Sequence, residues 1–400
     1  MRRFKLAAVA LLASLAFGCA SPPDRSVVPL ALLDSAQIEG MADVRGWGDQ
    51  PHANQRFKGE EITALRAKYK AKAATEKTLQ GHILTLSGGG ENGAFGAGIL
   101  VGWSERGDRP DFDLVTGVSA GALIAPFAYL GKDYDSQLSR LFTEFGSDDI
   151  FEANIVAGLL GGTAIASNAP LKRLIDQFVD HEMMRRLAEE RRHGRVLLVG
   201  TTNLDAERPV FWDIGKIAEK GDEQSLKLIR SVLLASAAIP GVFPPVRIPV
   251  VAANGHHYEE LHVDGGPTRQ VFLSPSDFSF RELDKAIGRK VTRHLYIIRN
   301  GKLGPEWGKS SESVLSIGQR SLYATTKYQA LGDLARIHAK ATADGMAYRL
   351  AAIPDAFNVP LPKPFDRDYM RKLYAEGYRM AREGYPWMHA PPGISVATNN

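Results

Sequence analysis

Four hundred residues, 44% hydrophobic and 24% charged, are enough to bury a sizeable core and place the chain among ordinary globular proteins. The formal charge is +4, but Arg2, Arg3 and Lys5 supply three of those positives and no acid lies in residues 1–19, so a chain cut after that segment carries 4 − 3 = +1. That removes the cationic bias of a nucleic-acid binder, and the single cysteine excludes a disulfide within the chain.

In chain order, the early cations precede an apolar run at 6–17 that ends in Gly18-Cys19-Ala20. Such a run is too short for a permanent membrane span and fits the apolar region of an export signal, so residues 1–18 are expected to be a signal peptide. Cys19 follows a small residue where a signal peptidase would cut. The pattern resembles the lipobox of bacterial lipoproteins, with Ala16 where those prefer Leu and Leu15 one step earlier. The resemblance implies lipidation of Cys19, a tether through the polar segment 21–25, and, with Ala20 after the cysteine, sorting to the outer membrane of a Gram-negative bacterium. A plain secretory signal is the alternative. Residues 19–78 then form a linker and helical extension, without a convincing strand and with one helix over 60–75. Its cations are interrupted by few large apolar residues (Ile62, Leu65, Tyr69), which favours a solvated packing helix over an interfacial one.

The main domain is expected over 79–390. A β-type run at 82–87 closes in Gly88-Gly89-Gly90, and helical character follows over 93–103. Strands are expected at 114–116, 195–203, 210–213, 260–263, 294–299 and 346–352. Helices are expected at 122–130, 137–145, 171–191, 225–238, 311–341 and 366–382. Strands alternating with helices imply an α/β fold, a three-layer sandwich with a mostly parallel central sheet covered on both faces. Residues 391–400 read as a flexible tail.

Two glycine clusters carry chemistry. Gly117-Val118-Ser119-Ala120-Gly121 stands between an expected strand and an expected helix, the order of a nucleophile elbow, which thrusts a hydroxyl out at a helix N-terminus. Gly88-Gly89-Gly90-Glu91-Asn92-Gly93 can converge backbone amides on an anion, so Gly88, Gly89, Gly90 and Gly93 are candidates for an oxyanion hole. The same six residues match a dinucleotide fingerprint, with Asp111 and Asp113 about 20 residues on. Those acids precede the next strand rather than close it, which argues against a ribose contact.

Four blocks in order, the glycine loop at 88–93, the elbow at 117–121, the run Ala235-Ser236-Ala237-Ala238-Ile239-Pro240-Gly241-Val242-Phe243-Pro244-Pro245, and Asp264-Gly265-Gly266, resemble those of patatin-like phospholipases. The resemblance covers roughly 80–300. It implies a serine–aspartate dyad, with Ser119 as nucleophile and Asp264 as base, acting on phospholipid or other fatty-acyl esters through an acyl-serine. One departure is Asn92, where that family usually carries a basic residue. His262, His294 or His338 could instead complete a Ser, Asp, His triad, although an α/β-hydrolase needs several strands before its elbow. His256, His257 and His262 match no standard metal spacing, and neither a metal nor another cofactor is expected. The partners expected are the lipid ester and, through the anchor, a membrane surface. Other readings are a carboxylesterase of small soluble esters and a catalytically silent lipid-binding envelope protein.

Overall fold

The computed structural model describes residues 25–49, 60–75, 78–153, 164–274 and 279–394. The signal peptide and Cys19, and residues 395–400 of the tail, lie outside the described residues. Among the described residues the strands are β1 (Arg45–Trp47), β2 (Gln80–Leu86), β3 (Leu114–Val118), β4 (Glu152–Ala153), β5 (Ala166–Ser167), β6 (Val196–Asn203), β7 (Arg208–Asp213), β8 (Val246–Val251), β9 (His257–Asp264), β10 (Thr292–Arg299) and β11 (Ala347–Ala352). The α-helices are α1 (Glu60–Thr75), α2 (Gly93–Arg106), α3 (Ala120–Leu130), α4 (Asp135–Thr143), α5 (Ser147–Ile150), α6 (Ala169–Phe178), α7 (His181–Arg192), α8 (Ile214–Ala218), α9 (Glu223–Ser236), α10 (Phe280–Ile287), α11 (Val314–Asp344) and α12 (Arg367–Arg382).

The central sheet runs β1-β7-β6-β3-β2-β10-β11, with β9 also paired to β6 and β8 paired to β9. Its middle, β6-β3-β2-β10-β11, is parallel, and the remaining pairings are antiparallel. Period-two alternation assigns the two faces. Leu84, Leu86, Tyr296 and Ile298 pack into one core with α2, α3 and α12, whereas Ile83, Leu295 and Ile297 meet Leu334 and Ile337 of α11 on the other side. This is the expected three-layer α/β arrangement. On the first face α2 and α12 approach so closely that a Cβ at Gly98 would lie 2.1 Å from the Tyr374 carbonyl oxygen, and one at Gly102 would lie 2.2 Å from that of Tyr378.

Several expectations need correction. The segment read as a strandless linker contributes β1, which pairs with β7, and Gln37 bridges Val251. Three residues are too few to show a period, so β1 was invisible in sequence. The run 171–191 is two helices, because the Asp180 carboxylate accepts from the Met183 amide and caps a second start. Strand β8 and helix α10 were not anticipated: Pro249 interrupts one, and the other spans barely two turns.

Candidate active site

The parallel strands end on a common edge, and the two glycine clusters sit there. β3 leads into Ser119, whose backbone is at φ 55° and ψ −126°, a region non-glycine residues rarely occupy. The surroundings hold it there. The Ser119 amide donates to Ser236 Oγ at 3.0 Å, and the Ser236 hydroxyl donates to the Gly200 carbonyl at 2.7 Å. The glycines on either side are required by space. A Cβ at Gly117 would lie 2.4 Å from the Gly121 carbonyl oxygen, and one at Gly121 would lie 2.4 Å from that of Leu86.

Asp264 ends β9, and its amide donates to the Ala238 carbonyl at 3.0 Å. Its carboxylate accepts from the Gly266 amide at 2.7 Å, and the Ser119 hydroxyl stands near enough to lower its pKa. Burial raises its pKa from 3.8 to about 6, against the lowering effect of the Ser119 hydroxyl and the Gly266 amide. The run 235–245 is explained by these contacts. Ser236 fixes the elbow while Ala238 fixes the end of β9, so one segment sets both residues against each other.

The glycine loop is more selective than its composition suggests. The Gly88 amide donates to the Gln270 carbonyl at 3.1 Å, and the Gly93 amide donates back to the Gly90 and Glu91 carbonyls. Both are committed inside the protein, which corrects their expected place as oxyanion donors. Gly93 is needed instead for room, since a Cβ there would lie 2.6 Å from the Phe142 ring. Gly89 has no protein acceptor for its amide among the described residues, Gly90 opens a 3-10 turn at φ 55°, and Ala120 opens α3. The first amides of a helix have no acceptor within it, so these three N–H groups are the ones open to an anion.

A cavity of about 550 Å³, counted to its solvent-open mouth, adjoins Ser119, Gly90 and Ala120. Leu123, Leu141, Phe142, Leu174, Phe243 and Met370 are among its walls, which are almost wholly apolar. Asn92 faces α12, where its Oδ1 accepts from the Tyr369 hydroxyl at 2.7 Å.

The histidines considered for a triad are occupied elsewhere. His262 is fully buried, with Nε2 2.9 Å from Glu260 Oε2 and Nδ1 2.9 Å from Thr201 Oγ1. His294 lies four residues, roughly 13 Å, back along β10 from Ile298, where it stacks on His82 and bonds to Arg349. His338 stands edge-on to Tyr348. Asp113, considered for a nucleotide, accepts from the His82 amide and pairs with Lys68. Sequence reasoning missed three residues: Ser236, whose hydroxyl holds the elbow, Gln270, and Arg299 at the C-terminal end of β10. The position of Arg299 at a strand end on the site's edge was the one available signal.

Residues 84–275 match the family model described as patatin-like phospholipase. This stretch contains the end of β2, the glycine loop, the elbow and Asp264, and its similarity to patatin-like phospholipases supports lipid acyl hydrolysis in general. No curated protein matches the chain. Among solved structures, the chain is similar to VipD from Legionella pneumophila at 16% identity and a TM-score of 0.33, covering 76% of this chain and 67% of that one. It is also similar to the type III effector protein ExoU at 13% identity and a TM-score of 0.30, covering 76% of this chain and 52% of that one. The chain thus spans about half the length of ExoU.

Proposed function

We propose that the protein hydrolyses long-chain fatty-acyl esters, phospholipids or lysophospholipids, through a covalent acyl-serine formed by a Ser119–Asp264 dyad. The observation that carries this reading is Ser119, held at a strained elbow at the edge of an apolar cavity, beside the buried Asp264 carboxylate whose pKa its hydroxyl lowers. Asp264 takes the Ser119 proton as Oγ adds to the ester carbonyl carbon, and the carbonyl electrons move onto oxygen, where Gly89, Gly90 and Ala120 amides receive them. Collapse breaks the bond to the alcohol, which leaves with the proton from Asp264. Water then adds to the acyl-serine, again losing a proton to Asp264; the bond from the acyl carbon to Ser119 Oγ breaks, Asp264 returns the proton to Oγ, and the fatty acid is released. A base at about pKa 6 suits this chemistry, being ionised near neutrality yet stronger than an ordinary carboxylate. The engagement of His262, His294 and His338 with other groups favours the dyad over a triad.

The apolar walls favour an acyl chain over a small polar ester. Within the proposal, residues 1–18 direct export and Cys19 holds the enzyme at the cell envelope. The test is a series of esters from acetyl to palmitoyl beside defined phospholipids, with products identified by mass spectrometry. Rising kcat/KM with chain length and release of free fatty acid are expected, with both lost in Ser119→Ala. A preference for acetyl esters would point to a small-ester carboxylesterase, and no turnover of any ester would contradict the assignment.

A further inference from the structure

Arg299, the last residue of β10, is buried, yet among the described residues no carboxylate lies within ion-pair distance of it. The nearest acidic side chains are committed: Glu306 pairs with Lys327 and Tyr323, and Asp333 pairs with Arg336. Arg299 Nη1 instead donates to neutral oxygens of the glycine loop's base, the Gly88 carbonyl at 3.0 Å and Ser87 Oγ at 3.1 Å. A buried cation facing only neutral acceptors is costly to keep, and its surroundings show what it does there.

The peptide that Arg299 grips adjoins the nucleophile. Gly88 is held against the elbow, since a Cβ on it would lie 3.1 Å from Ser119 Cβ. In a trans peptide the carbonyl of Gly88 and the N–H of Gly89 point in opposite directions, so a guanidinium on the carbonyl aims the amide the other way. That amide is one of the three without a protein acceptor for an anion to use. A cation on the oxygen of a peptide also polarises its N–H and strengthens it as a donor. Ser87 completes the clamp: its hydroxyl donates to the same Gly88 carbonyl at 2.7 Å, and its Oγ accepts from the Asn300 amide at 2.9 Å.

We infer that Arg299 is a positioning residue for ester cleavage, which orients and polarises the Gly88–Gly89 peptide and supplies, from beneath the loop, a positive charge that position 92 lacks in this chain. Its counter-charge arrives only when the tetrahedral oxyanion forms. The inference rests on the acyl-serine reading above and deepens it.

The test compares Arg299→Gln, which keeps a donor without charge, with Arg299→Lys, which keeps the charge. Each is assayed on a palmitoyl ester, and its affinity is measured for a long-chain trifluoromethyl ketone, which adds to a serine as an anion, and for the matching methyl ketone. In a folded Arg299→Gln protein kcat should fall about 10²-fold, the range of a lost oxyanion donor, with KM within about threefold. Trifluoromethyl ketone affinity should fall in step while methyl ketone affinity holds, and Arg299→Lys should recover most of both losses. A folded Arg299→Gln protein with near wild-type kcat, or equal weakening of both ketones, would overturn the inference. If Arg299→Gln does not fold, Arg299→Lys decides alone: a preserved affinity ratio of the two ketones supports it, and a collapsed ratio overturns it. Failure of the acyl-serine reading itself would be seen separately, as a wild-type protein that neither turns over esters nor binds the trifluoromethyl ketone.

Discussion

Burial of Asp264 has opposite consequences for stability and for catalysis. Its pKa, raised to about 6, means that between roughly pH 4 and pH 6 the folded protein holds a proton the unfolded chain has released. Stability from this group therefore falls as pH rises through that window, by on the order of 3 kcal/mol once the shift is complete. Asp264→Asn should accordingly abolish ester turnover while raising the unfolding temperature at pH 8, and the difference should vanish near pH 4. An equal or lower unfolding temperature at pH 8 would mean that the carboxylate is not strained by its burial. The rate of the wild-type protein should fall below about pH 6, as the base takes up a proton. Both members of the proposed pair stand out in sequence, Ser119 from its glycines and Asp264 from its place among four ordered blocks. Arg299 and Gln270 do not, since Arg299 acts through the Gly88 carbonyl and Ser87 Oγ and Gln270 through its own carbonyl, contacts that leave no spacing to read.

At the scale of elements, the elbow depends on α9 as much as on its own glycines. Ser236 satisfies two buried backbone groups, the Ser119 amide and the Gly200 carbonyl, and so ties the strained turn to β6. Ser236→Ala leaves both without a partner, at about 1–3 kcal/mol each, so a loss of about 2–6 kcal/mol in urea unfolding is expected, with kcat reduced more than KM. Unchanged stability would show that the turn holds its φ without α9. The strands flanking the elbow were legible because parallel strands buried on both faces read as apolar runs. Strands β1 and β8 were not: one is three residues long, and the other carries Arg247 and Pro249 toward solvent at the sheet's antiparallel side.

Across the whole molecule, the chain before α1 is fixed to that antiparallel side by backbone pairing and by a buried polar cluster. Arg45 of β1 reaches Glu260 of β9, which also bonds to His262, and His262 reaches Thr201. Burial alone would raise the pKa of Glu260, but hydrogen bonds from His262 and Arg45 hold it at about 2. Its contribution to stability is thus present above about pH 4.5 and lost as pH falls toward 2. Arg45→Met strands the carboxylate in the core and should cost about 3–5 kcal/mol near pH 8. A loss under 1 kcal/mol, in the range of exposed pairs, would show that β1 is held by its backbone pairing alone. The layered α/β fold was legible from the alternation of elements, whereas the docking of β1 on this side was not, because Arg45 and Glu260 stand 215 positions apart.

Everything proposed for the site depends on Ser119 being the nucleophile and Asp264 its only base. A long-chain fluorophosphonate reacted with the wild-type protein, with Asp264→Asn and with His262→Gln, and followed by peptide mapping with mass spectrometry, reads both at once. One adduct is expected on Ser119 in the wild-type and, provided it folds, in the His262→Gln protein, and none in Asp264→Asn. An adduct on another residue, or undiminished labelling of Ser119 in Asp264→Asn, would refute the dyad.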